Sequence, residues 1–487
     1  MDYRKALTVI PLIGVGLGLA ALGFWFGRAS NASNAKVLPR LPGQDRPAGV
    51  APDIKVPLKQ EIATSIRPQP QAVLGKLEKL AGTPSDLPGL WPCFRGPQLN
   101  AICNDGVPLA RQWPSNGPSV NWLVELGQGY AGPAVWNGRV YVLDYDKKAS
   151  SDILRCLSLA DGKDIWRFSY PVLVNNDHGM SRTVPAVSDK YVVTIGPRGH
   201  VACLDPLSGA CRWMLSLERD FGATIPDWHN GQCPLIENGN VILAPGGPSL
   251  LVAVACPSGN VVWKSPNPRA WKMTHSSIAP MEFAGRRMYV YCGSGGVAGV
   301  AADDGQILWD STAWPAPSTG AMVPVPVVLP DGKLFLCGGY DTGAMILQLK
   351  QDGDHIVAHT VRKLKPREFS SMQQTPILYE GHLYGVREKD KQMVCMDLDG
   401  NEVWASGPTH RFGGQGFGPY MVADKMLYIL HDSGKLTLAD ASPAGYKQLA
   451  EYPVLDGHDA WGPMAMAHGR LLLRDFTRMV SIDVAKK

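Results

Sequence analysis

Short apolar runs of four to six residues alternate along most of the chain with Gly, Asp and Asn turns, with no helical period between them. That pattern predicts antiparallel hairpins. A proline opens the first run of each set, as in Gly132-Pro133-Ala134-Val135-Trp136-Asn137-Gly138-Arg139-Val140-Tyr141-Val142. Equivalent openings stand at Pro185, Pro234, Pro280, Pro326, Pro376, Pro419 and Pro463, at intervals of 52, 49, 46, 46, 50, 43 and 44. Eight copies with a period of about 47 form a tandem array.

A second landmark joins an acidic or small residue and a Gly turn to a tryptophan. It stands as Asp161-Gly162 before Trp166, Asp205 and Gly209 before Trp213, Gly259 before Trp263, Asp304-Gly305 before Trp309, and Asp399-Gly400 before Trp404. A degenerate copy falls near residues 353–357 and a weaker one at Asp440, Gly445 and Tyr446. Two hairpins per repeat make one four-stranded sheet, the blade of a propeller, whose faces are covered only when neighbours stack and the ring closes. Trp122, in Val120-Asn121-Trp122-Leu123-Val124, precedes the first proline landmark, whereas the final copy ends at Ser481-Ile482-Asp483 without a tryptophan strand. The amino-terminal segment is therefore expected to supply the outermost strand of the last blade and remove two open edges. The expected fold is all-β: an eight-bladed β-propeller of four-stranded antiparallel blades over residues 91–487.

The repeats resemble those of propellers related to pyrroloquinoline quinone (PQQ) enzymes, a family that includes the assembly factor BamB. The resemblance rests on Cys203-Leu204-Asp205-Pro206-Leu207-Ser208-Gly209-Ala210-Cys211-Arg212-Trp213, on Ala301-Ala302-Asp303-Asp304-Gly305 to Trp309, and on Cys395-Met396-Asp397 to Trp404. Trp91-Pro92-Cys93-Phe94-Arg95-Gly96-Pro97, followed by Trp113-Pro114, is similar to the lead-in of membrane-anchored or secreted bacterial members. Family dehydrogenases carry a disulfide between adjacent cysteines against PQQ, with calcium ligands nearby. None of the ten cysteines here has a cysteine neighbour, and no calcium-ligand motif matches, so the resemblance transfers no catalytic residue.

The amino terminus differs from the repeats. Ala6 to Phe26 contains no charge and is long enough to cross a bilayer. It is expected to be an uncleaved transmembrane anchor (residues 1–28), with the short leading stub inside and the body on the extracytoplasmic, periplasmic side. Residues 29–90 are punctuated by Pro39, Pro42, Pro47, Pro52, Pro57, Pro68 and Pro70 and read as a stiff linker. Within it, Gln71–Leu80 is expected to form a short helix, with Val73, Leu74, Leu77 and Leu80 on one face.

Charge narrows the partners. Residues 1–90 hold 11 basic and 6 acidic side chains, and the rest of the chain holds 36 and 37, so the net charge of +4 belongs to the tail. A body without a basic field argues against nucleic acid. Charged residues are only 18% and Gly 53 with Pro 40 make the chain rich in turns, which excludes a coiled coil and a collagen.

Candidate chemistry is sparse. Cys156, Cys203 and Cys395 share one repeat position, where a small buried residue suffices. No Cys/His set has zinc spacing, so no metal site is expected. Cys93 with Cys103, and Cys203 with Cys211, are candidate disulfides. The segments before the opening prolines are polar and should converge on one mouth of the axial channel, bringing His178, Arg182, His229, Gln232, His275, Gln373, Gln374, Gln415, His458, Asp459 and Trp461 together as a ligand- or partner-binding set. The leading function is a non-catalytic interaction scaffold for envelope or membrane proteins, without a cofactor. The alternatives are an oxidoreductase using PQQ with calcium, or a metal, at the channel mouth, and a receptor for a small polar ligand.

Overall fold

A computed structural model describes residues 75–175, 179–314, 321–414 and 417–487. The expected span Ala6–Phe26 lies outside these residues. Among the described residues no helix is long and apolar enough to cross a membrane. Eight antiparallel sheets follow one another along the chain as the blades of a propeller. Blades 1 to 7 open at Ala134–Trp136, Ala186–Val187, Leu235–Glu237, Ala279–Phe283, Val327–Val328, Ile377–Tyr379 and Tyr420–Ala423, each directly after an opening proline or including it. Blade 8 consists of Ala465–Ala467, Arg470–Arg474 and Arg478–Asp483, and Ser119–Glu125 completes it from the other end of the chain.

The local sequence explains the hairpins. In six blades the first two strands join through a two-residue turn with positive φ at both positions, such as Asn137-Gly138 (47° and 68°) and Asn238-Gly239 (50° and 75°). That turn matches the right-handed twist of the strands it joins. The Gly-to-Trp landmark has a packing cause that crosses from one blade to the next. A Cβ added at Gly162 would stand 2.9 Å from the Trp122 ring, at Gly209 2.6 Å from Trp166, at Gly259 2.9 Å from Trp213, and at Gly305 2.6 Å from Trp263. Each glycine thus lets the preceding blade's indole lie on the turn. From four blades the indole N–H also donates to a carbonyl of the next blade: Trp122 to Leu159 at 3.0 Å, Trp213 to Cys256 at 2.7 Å, Trp263 to Ala302 at 3.1 Å and Trp404 to Ser442 at 2.9 Å. In degenerate blade 5, Leu364 fills the tryptophan's place against Gly400.

Ring closure follows the expected route. Ser119–Glu125 pairs antiparallel with Arg478–Asp483, with a register shift between Val120 and Trp122 that turns Trp122 inward. The seam between blades 8 and 1 also carries buried charge. Arg155 donates to the Glu125 carbonyl at 2.7 Å and pairs with Asp144 at 3.2 Å and Asp164 at 2.8 Å. Arg474, 1% exposed, donates to the carbonyls of Ala131, Gly127, Asp475 and Phe476 at 3.0–3.2 Å.

Two expectations for the lead-in need correction. Lys76–Lys79 is a β-strand, the fifth of blade 1, paired antiparallel with Asp164–Pro171; residues 71–74 of the expected helix lie outside the described residues. The open edge of blade 1 supplies backbone partners that outweigh a four-residue helical face, and Leu77 packs beside Trp166 over Gly209. The end of the expected linker is also docked. Ser85 N–H bonds the Gly138 carbonyl at 3.0 Å, and Leu87 packs on the core.

From there the chain enters the axis at the hairpin-turn end, opposite the segments that precede the prolines. Trp91, 1% exposed, exchanges backbone hydrogen bonds with Val135 of blade 1, and the Pro92 carbonyl accepts from Val187 of blade 2. Arg95 reaches the Thr375 and Pro376 carbonyls at the start of blade 6. Phe94 packs on the cores of blades 1–2 and 4–5 alike. Ile102–Cys103 then runs parallel to Tyr420–Ala423 of blade 7. Residues 91–100 therefore plug one end of the channel.

Candidate functional site

Above the plug remains a cavity of about 110 Å³. Six of its lining residues stand three positions before an opening proline: Tyr130, Arg182, Gly231, Ser277, Val323 and Gln373. Each leads into a first strand at its axial start, which is why one repeat position supplies half of the wall. His275, Gln374, Trp461, Cys233, Pro463 and Phe94 complete it. Five expected site residues, Arg182, His275, Gln373, Gln374 and Trp461, thus meet in one cavity. Tyr130, Ser277 and Val323 escaped notice in the sequence because only one is aromatic and none is charged. Their common offset from the proline was the available signal.

The remaining expected residues are placed differently. His178 and Gln415 lie outside the described residues. Gln232 is fully buried and faces the blade: its amide donates to the Ala244 carbonyl at 3.0 Å and accepts from the Ala244 N–H at 2.8 Å. That pairing caps the end of a neighbouring strand, so the side chain serves the fold. His229 is buried with φ 72°, next to Trp228 at φ 61°. Trp228 stacks with Tyr340 of blade 5 at 6.3 Å and 19°. His458 is 73% exposed at the side chain, 3.3 Å from Asp459, and does not line the cavity.

Electrostatics at the cavity are muted. Trp461 stacks on Tyr130 at 4.9 Å, and the Arg182 guanidinium lies 5.0 Å from the Tyr130 ring centre. The Tyr130 hydroxyl donates to Asp459 at 3.5 Å. His275 donates through Nε2 to the Asp227 carbonyl at 3.0 Å. Burial, and then the nearby Arg182 charge, push its pKa down to about 4, so the ring is neutral at pH 7. Gln374 donates to the carbonyls of Phe417 and Trp461, and Gln373 accepts from the Phe417 N–H. Much of the polar capacity is spent on holding one pre-proline segment to the next.

Behind the Arg182 segment, Asp152 is fully buried and accepts from Tyr170 at 2.5 Å and Ser181 at 3.3 Å. Burial pushes its carboxyl up to about 7. The folded state therefore holds a proton that the unfolded chain releases near pH 4, and stability is lost as pH rises through about 7. Asp152→Asn keeps an acceptor for Tyr170 and removes the buried ionisation. Its melting temperature relative to the parent should rise between about pH 5 and about pH 8. A constant difference across that window would show that Asp152 does not titrate there.

The expected disulfides are also absent from the described residues, where all ten cysteines are free. Cys93 donates within its own turn to Gly96, while Cys103 points to Met466 of blade 8. Cys203 pairs in register with Trp213, and Cys211 with Leu204 across a bulge, which places the two thiols on opposite faces.

A sequence profile of the family described as outer membrane protein assembly factor BamB matches residues 149–406, more than half of the chain. The chain belongs to that family. No curated protein matches it. BamB from Moraxella catarrhalis is similar with a TM-score of 0.51 at 13% identity, over 75% of this chain and 99% of that one. A europium-containing methanol dehydrogenase gives 0.53 at 13% identity, over 81% and 89%. Quinohemoprotein alcohol dehydrogenase ADHIIG from Pseudomonas putida HK5 gives 0.52 at 11%, over 82% and 81%. At these identities the likeness is one of fold, and it spans an assembly factor and dehydrogenases alike.

As the described residues line it, the cavity above the plug does not fit a quinone cofactor. A cavity of about 110 Å³ is well below the roughly 300 Å³ at which cofactor pockets begin. Among the described residues, no group of three His, Cys, Asp or Glu side chains is placed to hold a metal ion.

Proposed function

We propose that this BamB-family propeller is a non-catalytic interaction scaffold of the cell envelope, tethered through Ala6–Phe26 with the blades on the periplasmic side. One observation carries the reading: among the described residues the chain plugs one end of its own channel with residues 91–100, and the cavity above the plug is about 110 Å³. Recognition then falls to the outer surface. The outermost strands expose apolar side chains there: Val120 and Leu123 on blade 8, Val262 on blade 3, Val361 on blade 5 and Val403 on blade 6. Apolar groups on exposed strand edges suit protein partners.

The test uses the full chain at native abundance, extracted in mild detergent. Stable co-purifying envelope proteins are expected, and Val120→Lys with Leu123→Lys should weaken their recovery. A strictly monomeric protein, or recovery that no surface substitution alters, would overturn the scaffold reading. A periplasm-dependent reporter fused after Lys487 should be active; activity only from a cytoplasmic reporter would overturn the orientation.

A further inference from the structure

Cys203 lies in strand His200–Leu204 of blade 2, and Cys256 directly follows strand Ser249–Ala255 of blade 3. Both are fully buried, in one apolar cluster shared by the two blades. The inter-blade tryptophan contact brings them together. Trp213 is the cross-strand partner of Cys203, and its indole draws in the Cys256 carbonyl at 2.7 Å. The Cys203 thiol donates to that same carbonyl oxygen at 3.5 Å, which sets its sulfur against the Cys256 backbone. The Cys256 backbone is fixed from the other side by its N–H bond to Gly239 at 2.9 Å. Leu159, Ala441 and Val484 make the corresponding backbone bond in blades 1, 7 and 8, and none of them carries a thiol.

We propose that Cys203 and Cys256 form an inter-blade disulfide when the chain folds under oxidising conditions. The Cys203 sulfur already lies against the Cys256 backbone, within one buried cluster and on segments held by independent hydrogen bonds, so rotation of the two side chains is the movement the bond requires. Each thiol gives up its hydrogen, the S–S bond forms, and the two electrons and two protons reduce one disulfide of the oxidant, such as oxidised glutathione, to two thiols. Full burial bars a bulky oxidant from the finished fold. The reaction therefore belongs to folding, before blades 2 and 3 finish packing, and its product is then shielded from reductant.

The full chain is refolded in parallel with oxidised glutathione and with a reducing dithiol, denatured, alkylated and digested. The oxidised sample should yield a peptide pair joined through Cys203 and Cys256, lighter by two hydrogens than the sum of its parts. Its melting temperature should exceed that of the reduced sample by about 3 °C, a difference lost in Cys203→Ala and in Cys256→Ala. Recovery of both cysteines fully alkylated from the oxidised sample would overturn the proposal. So would cross-links joining Cys203 to Cys211 instead.

Discussion

Deletion of residues 115–126 lowers the melting temperature of the propeller by roughly 10 °C or more and broadens the transition. The deleted segment contains Ser119–Glu125, which pairs with Arg478–Asp483 and alone covers the outer edge of blade 8. It also removes Trp122, 6% exposed, whose indole bridges to the Leu159 carbonyl and lies on Gly162 of blade 1. Losing a buried tryptophan costs about 3–5 kcal/mol before any backbone pairing is considered. The loss also takes one acceptor from Arg155, which donates to the Glu125 carbonyl. A ring opened at one seam exposes two blade faces, so thermal melts and binding of a hydrophobic dye report the same event. A deletion variant that melts as sharply, and at the parent's temperature, would mean the ring closes by another route.

Arg474→Ala is the second large effect, with an expected loss of roughly 3–5 kcal/mol in urea denaturation. Four carbonyls, two of them from the strand-to-blade segment at Gly127 and Ala131, accept from one guanidinium, and that of Phe476 also accepts from the Gly129 N–H. Burial pushes that group down to about 10, still charged at neutral pH, with Asp144 and Asp475 supplying opposing charge. Removing it leaves buried acceptors unpaired, a penalty distinct from the loss of packing volume. Arg474→Met restores much of the volume and none of the donors. It should therefore remain far below the parent; near-parental stability in the Met variant would assign the role of Arg474 to packing alone.

The legible part of this protein was periodic. The opening prolines, the Gly turns and the tryptophans recur because every blade solves the same local problem, and each landmark acts within one hairpin or against the adjacent blade. Trp122 without a blade of its own, and a last repeat without a tryptophan, were enough to place the closing strand. The axial set was half legible for the same reason. A repeat position that starts the first strand must face the axis, so Arg182 and Gln373 met as expected. Gln232 and His458 failed because polarity alone does not give direction: one turned into the blade to cap Ala244, the other out to solvent.

The lead-in was misread where it stops repeating. Lys76–Lys79 has helix-forming residues, yet four residues cannot repay helix nucleation, while an open sheet edge offers ready-made partners. By itself the sequence determined the blade, its count and the closure of the circle, since these follow from strand length, turn chemistry and period. Only the tertiary structure decided that residues 91–100 fill the axis, that Arg474 locks the seam, and that Cys203 meets Cys256 across blades. Each of those contacts joins unique residues tens to hundreds of positions apart, and the free energy that selects them arises from burial and unpaired carbonyls that exist only once the ring has formed.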